Sequence, residues 1–195
     1  MRKSLRSLVL IGFVAACGSS NTTAPRNLDN ACSILDQRPS FERAMKRTER
    51  RWGVPVHVQM ATLYQESKFI ADARTPLRYA LGVIPVGRQS SAYGYAQALD
   101  GTWDEYRKAE GRRGARRDNI RDATDFMGWY MSKSQDVLNI SLSNARAQYL
   151  AYHEGRTGYR RGTYKRKGWL LRVSKEVADR ATLYQRQLKS CLRRA

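Results

Sequence analysis

Acidic residues are scarce in this chain. Asp and Glu number 17 against 36 Lys and Arg, which leaves a formal charge of +19 over 195 residues. A surface of that kind either meets a polyanion or stays solvated with no partner. The arginines are spread along the chain rather than gathered in one tail, so the charge belongs to a folded surface. Histidines number 2 and cysteines 3, with no ligand spacing among them, which gives no zinc site and calls for no metal or other cofactor. Alternating strand patterns are also rare, which excludes an all-β fold. Long apolar runs are missing as well. The longest, Leu8 to Ala16, reads LVLIGFVAA and falls far short of the roughly 20 residues that cross a bilayer.

That short run has a basic lead of Arg2, Lys3 and Arg6, so residues 1–16 read as an export signal. Val14-Ala15-Ala16-Cys17 matches a bacterial lipobox, in which cleavage before the cysteine exposes it to lipidation. The expected mature chain is therefore anchored in the cell envelope by lipid on Cys17. Gly18 after the cysteine, rather than Asp, fits sorting to the periplasmic face of an outer membrane. Two cysteines then remain, Cys32 and Cys191, near the two ends of the mature chain. In an oxidising compartment they are the natural partners of one disulfide. The polar, turn-rich stretch GSSNTTAPRNLDN fits a flexible tether, placed over residues 17–36, ahead of one domain over 37–195.

Inside that domain the periodicity is helical. Phe41, Ala44, Met45, Thr48 and Trp52 share one helix face, and Gly53 stops it. Pro55 suits the start of the next helix, which runs to Glu66. Prolines and glycines at 76, 82, 85 and 87 make the region near residues 70–93 irregular or a small hairpin. Asp100, Asp118 and Ser143 stand where caps of three further helices are needed, and Gly155 where the last of these ends. Leu170, Val173, Val177, Ala181, Tyr184 and Leu188 define a final amphipathic helix. The predicted fold is mostly α.

Three short stretches carry the chemistry: Glu66-Ser67 at a helix end, Gly94-Tyr95-Ala96-Gln97 at a loop-to-helix junction, and Ala151-Tyr152-His153 with Gly155 near a later helix end. In order and spacing they resemble the lytic transglycosylases with an SLT (soluble lytic transglycosylase) domain, relatives of goose-type lysozyme. The pattern of that family is Glu-Ser, Gly-Leu-Met-Gln and Ala-Tyr-Asn, and the likeness covers roughly residues 40–190. The resemblance implies a lysozyme-like helical fold and peptidoglycan glycan strands as substrate. It also implies a single glutamate, Glu66, acting as acid and then base, with the 6-hydroxyl of N-acetylmuramic acid closing a 1,6-anhydro ring. Gln97 would hydrogen-bond the sugar near the scissile bond, and Tyr152 would set its hydroxyl on Glu66. Ser67, Ser90 and Tyr95 would line the substrate cleft. His153 stands where the family has an Asn that meets the N-acetyl group; it also donates a hydrogen bond but is bulkier.

Elementary chemistry supports the choice of Glu66. Protonating a leaving oxygen near neutral pH requires a carboxyl with a raised pKa, which apolar surroundings and a helix C-terminus both promote. Tyr64 and Phe69 are the expected apolar walls. Asp72, Asp100 and Asp104 are the candidates for the second carboxylate of a two-carboxylate mechanism, and none is an obvious partner near the other two motifs. The arginine-rich stretches 112–117 and 159–167 offer loose charge contacts to an anionic polymer. Tyr and Arg interleaved in the second also fit nucleic acid, but export and lipidation argue against such a partner. The alternatives within the envelope are a lysozyme-like hydrolase and a peptidoglycan-binding lipoprotein without activity.

Overall fold

The computed structural model describes residues 23–192, so the export signal and Cys17 lie outside the described residues. Asn30 accepts the Ser33 N–H at 3.0 Å and starts helix α1, Ala31–Gln37. Ala31, Ile34 and Leu35 of this helix are buried, and α1 packs on the C-terminal helix. The tether expected to reach residue 36 therefore gives way to the folded domain by Ala31. The apolar spacing of Ala31, Ile34 and Leu35 is that of one helix face, and burying it outweighs the polar turn signals just upstream.

Helix α2 is Pro39–Trp52, ended by Gly53 in the left-handed region at φ 74°. Helix α3 is Val56–Ser67, with Pro55 as the residue just before its first turn. A hairpin follows, of strands β1, Leu77–Ala80, and β2, Ile84–Arg88, paired antiparallel with a bulge at Arg78/Tyr79. Helix α4, Asp100–Ala109, leads to α5, Ile120–Leu138. After α6, Ala145–Arg161, comes a short 3-10 turn, Thr163–Arg166, and then α7, Gly168–Cys191. The described residues are mostly helical, as expected, and no helix among them is long and apolar enough to cross a membrane.

Each expected cap is displaced by one residue, Asp100 one late and Asp118 and Ser143 one early. Leu99, Asn119 and Asn144 hold the cap positions of α4, α5 and α6, in place of Asp100, Asp118 and Ser143. Asn competes well for this position, and the Asn119 and Asn144 side chains accept N–H groups of the first turn. Asp100 instead lies within the first turn of α4 and pairs with Arg117 at 2.7 Å. Gly155 does not stop α6. It takes φ 74°, ψ 157° and breaks the rod, but the helix resumes and ends at Gly162.

Helix α5 is the centre of the molecule. Every residue from Ala123 to Met131 is buried, which covers its full circumference. α2 comes so close that a Cβ on Gly128 would stand 2.5 Å from the Trp52 ring, so only glycine fits there. Trp103, Tyr106, Phe126, Trp129, Tyr130 and Tyr152 form a continuous aromatic cluster with edge and tilted contacts. Into this core goes one carboxylate, Asp125. It accepts from Tyr106 at 2.6 Å, Trp52 at 2.9 Å, Arg51 at 3.0 Å and Arg112 at 3.2 Å. Those donors satisfy a charge that would otherwise be costly to bury, and they cross-link α2, α4 and α5. α7 closes the fold against α3 and α6. The Cys32–Cys191 disulfide joins its end to α1, with Cα atoms 5.9 Å apart, as the cysteine count predicts.

Candidate active site

Helix α3 delivers Glu66 in its last turn. The next two residues, Lys68 at φ 52° and Phe69 at φ 63°, are both left-handed, a conformation uncommon for side-chain-bearing residues. Phe69 is fully buried and stacks on Phe41 with centroids 6.0 Å apart, and this anchor holds the turn. Ser67 is buried and donates to the Leu63 carbonyl at 3.2 Å, so it finishes the helix and is not free for a ligand.

Glu66 is partly exposed, with protein crowding its other sides. Burial pushes its pKa up from 4.5 to about 7, against a hydrogen bond from Tyr149 and the charge of Lys68, which both pull it down. The tyrosine at this carboxyl is therefore Tyr149, one helical turn before Tyr152. The Tyr152 hydroxyl, expected on Glu66, donates instead to the Ala96 carbonyl at 2.7 Å. It stays near enough for the Glu66 charge to raise its pKa further, beyond the larger effect of burial. The expected apolar walls differ as well. Tyr64 lies two positions from Glu66, and helix residues two apart do not share a face. Its ring is taken by the Lys68 ammonium at 3.5 Å and the Arg180 guanidinium at 3.4 Å.

The second motif is a tight turn welded to its surroundings. Gly94 has φ 80°, and a Cβ there would stand 2.2 Å from the Arg117 carbonyl oxygen. Its N–H donates to Ala73 at 2.9 Å. Gln97, left-handed at φ 46°, donates through Nε2 to the Ala73 carbonyl at 2.9 Å and the Gly94 carbonyl at 2.8 Å. Its amide nitrogen is thus spent, and the amide oxygen is the group left to accept from a sugar hydroxyl. Tyr95 is not a cleft residue. It is fully buried, edge-on to Phe41 at 5.6 Å, with its hydroxyl unpartnered and its pKa raised by burial to about 12. The turn that exposes Gln97 carries Tyr95 inward.

The third motif meets the second across an open cleft of about 210 Å³ lined by Gln97, Leu99, Phe126, Tyr130, Tyr152, His153 and Glu154, among others. Glu66 is not part of this lining, though its charge is felt by Tyr152, which is. His153 is exposed there, edge-on to Trp169 at 5.1 Å, with Nδ1 3.3 Å from Glu154. Ser90 does not reach the cleft. It sits at the hairpin root, where its N–H and carbonyl both bond the Thr75 hydroxyl.

Glu154 is a second carboxylate that the sequence reading missed. Burial raises its pKa, but hydrogen bonds from Lys167, Thr163 and His153 outweigh this and hold it below the usual range. Lys167 Nζ donates at 2.7 Å and the Thr163 hydroxyl makes a short contact. Glu154 is an ionised pin between α6 and the 3-10 turn, not a proton donor. The partner, Lys167, is distant enough in sequence that no local pattern signals the pair. Asp104 and Asp100 are exposed and paired with Arg107 and Arg117. Arg112, read as a polymer contact, turns inward to Asp122 and Asp125. Among the described residues no His, Cys, Asp or Glu cluster has the makings of a metal site.

No curated protein matches the chain. A family model described as the transglycosylase SLT domain matches residues 5–191. The helical fold, the three converging motifs and this match together place the chain in the transglycosylase SLT domain family, whose membership points to lytic transglycosylase activity on peptidoglycan.

Proposed function

We propose that the chain is a lipid-anchored lytic transglycosylase that cleaves the β-1,4 bond between N-acetylmuramic acid and N-acetylglucosamine, with Glu66 as its acid and base. The observation that carries this is Glu66 itself: a carboxyl at a helix end, its pKa pushed up to about 7 by burial. Protonated, it gives its proton to the glycosidic oxygen as the C1–O bond breaks. The resulting carboxylate takes the proton from the 6-hydroxyl as that oxygen bonds to C1. The ring closes without water, and Glu66 ends as it began. Gln97 and His153, on facing walls of the cleft, hold the sugars, and Tyr152 keeps the two walls at a fixed distance through Ala96. The engagement of Glu154 with three donors supports a one-carboxylate scheme, since Glu154 is the carboxylate among the described residues lining the cleft and is held ionised.

The test is mass analysis of fragments released from purified sacculi. Muropeptides ending in 1,6-anhydro-N-acetylmuramic acid are expected, with Glu66→Gln reducing release by about 10²–10⁴-fold, the usual weight of a general acid or base. Reducing-end products would make the enzyme a hydrolase. Binding without release would make the chain a peptidoglycan-binding lipoprotein. Full activity in Glu66→Gln would reject the site. The anchor reading rests on the Val14–Cys17 lipobox and the apolar run before it. It places the enzyme in the cell envelope, at the periplasmic face of the outer membrane. Mass analysis of the mature N-terminal peptide should show lipid on Cys17, absent with Cys17→Ala; an unmodified Cys17 in the parent protein would reject lipidation.

A further inference from the structure

The β1–β2 hairpin is out of place in a water-soluble surface. Leu81 is 90 % exposed, Val83 75 %, Val86 57 % and Ile84 53 %. Neither strand packs substantially on any helix, and an isolated two-stranded hairpin is marginal in water. The turn adds a second anomaly. Leu81 and Gly82 both have positive φ, 52° and 75°, and Val83 N–H closes the turn on the Ala80 carbonyl at 3.2 Å. The first position of such a turn favours Asn or Asp. Here strained backbone holds an aliphatic side chain out at the tip, a pattern that points to function rather than to folding.

Charge identifies the occupant. From Tyr79 to Gly87 the hairpin carries no charged residue, and no Asp or Glu occurs anywhere from 73 to 99. Arg78 and Arg88 stand at the root, where Leu77 pairs with Arg88 and Arg78 with Gly87. Arg74 lies beyond them, over the Tyr93 ring. The hairpin is thus apolar at its tip and cationic at its collar. A second copy paired edge to edge would bring cationic collars together. A glycan would need polar side chains, which the tip lacks. An anionic bilayer matches both parts: acyl chains for Leu81, Val83, Ile84 and Val86, and headgroup phosphates for the arginines.

We propose that this hairpin inserts its tip into the interface of an anionic lipid bilayer, independently of Cys17. The hairpin root is bonded to the Gly94–Gln97 turn through the Ala73 and Tyr93 region, so insertion would fix the cleft at a set height above the lipid.

The experiment uses the full chain carrying Cys17→Ser, with vesicles of phosphatidylethanolamine and phosphatidylglycerol. L81S/V83S/I84S/V86S should lower vesicle partitioning by about tenfold or more. R78Q and R88Q should each cost about fivefold on these vesicles and little on phosphatidylcholine. Unchanged thermal melting would show that the variants are folded. Because the N-terminal apolar run also favours lipid, hydrogen exchange supplies the local readout: amides of 77–88 should slow when vesicles are added. Equal exchange with and without vesicles would overturn the proposal. So would hairpin-dependent self-association, or hairpin-dependent binding to sacculi, with vesicle partitioning unaffected.

Discussion

Glu66 has a measurable signature in stability as well as in turnover. In the unfolded chain its carboxyl ionises near 4.5, whereas in the folded protein it holds its proton to about pH 7. The folded state therefore binds the proton more tightly, and this group's contribution is full below pH 4.5 and lost as pH rises to about 7. Glu66→Gln removes the cost of the buried charge. It should be more stable than the parent at pH 8, by at most roughly 3 kcal/mol, with little difference at pH 4.5. Urea unfolding at the two values measures this; equal differences at both would place the Glu66 carboxyl in water. The residue itself was legible because Glu-Ser stands in series with two other motifs. Tyr149 was not, since it occupies a helix position that reads as core, and it is core on all sides but one. Tyr95 differs in the opposite direction: it shares a short motif with Gln97 and is expected in the cleft, but the tight turn sends the two side chains to opposite sides.

The Gly94–Gln97 turn ranks highest among the elements for sensitivity. Gly94→Ala must relieve both a 2.2 Å approach to the Arg117 carbonyl and a φ of 80°. It should destabilise the protein by about 2 kcal/mol or more and lower activity, because Gln97 and the Tyr152–Ala96 bond hang on the same turn. Gly114→Ala, where nothing lies within 4 Å, is the matched control and should be near neutral in the same denaturant titration. Helices α2 and α7 are readable from apolar spacing alone, since each presents a continuous face to one core. The starts of α5 and α6 are less so: Asp118-Asn119 and Ser143-Asn144 each offer two capping side chains in a row, and only tertiary packing decides between them. Gly155 shows a similar limit. A left-handed glycine can end a helix or merely bend it, and which one happens depends on what α6 meets beyond it.

At the scale of the whole molecule, the disulfide was legible by elimination, while the docking of α1 against α7 was not. The polar residues up to Asn30 mask a helix of only seven residues. The bridge closes a sequence separation of 159, so most of the chain loses freedom in the unfolded state. Replacing both Cys32 and Cys191 by Ser should lower stability by about 2–5 kcal/mol and let the α1 amides exchange earlier than those of α5. An unchanged melting temperature would show that α1 packing suffices by itself.

That clasp also sets the path of mechanical load. Tension entering from the N-terminal side reaches Cys32 and passes through the S–S bond to Cys191, so a pull between the two ends of the chain runs around the folded domain rather than through it. The helices that hold Glu66 and the cleft remain slack under such a pull.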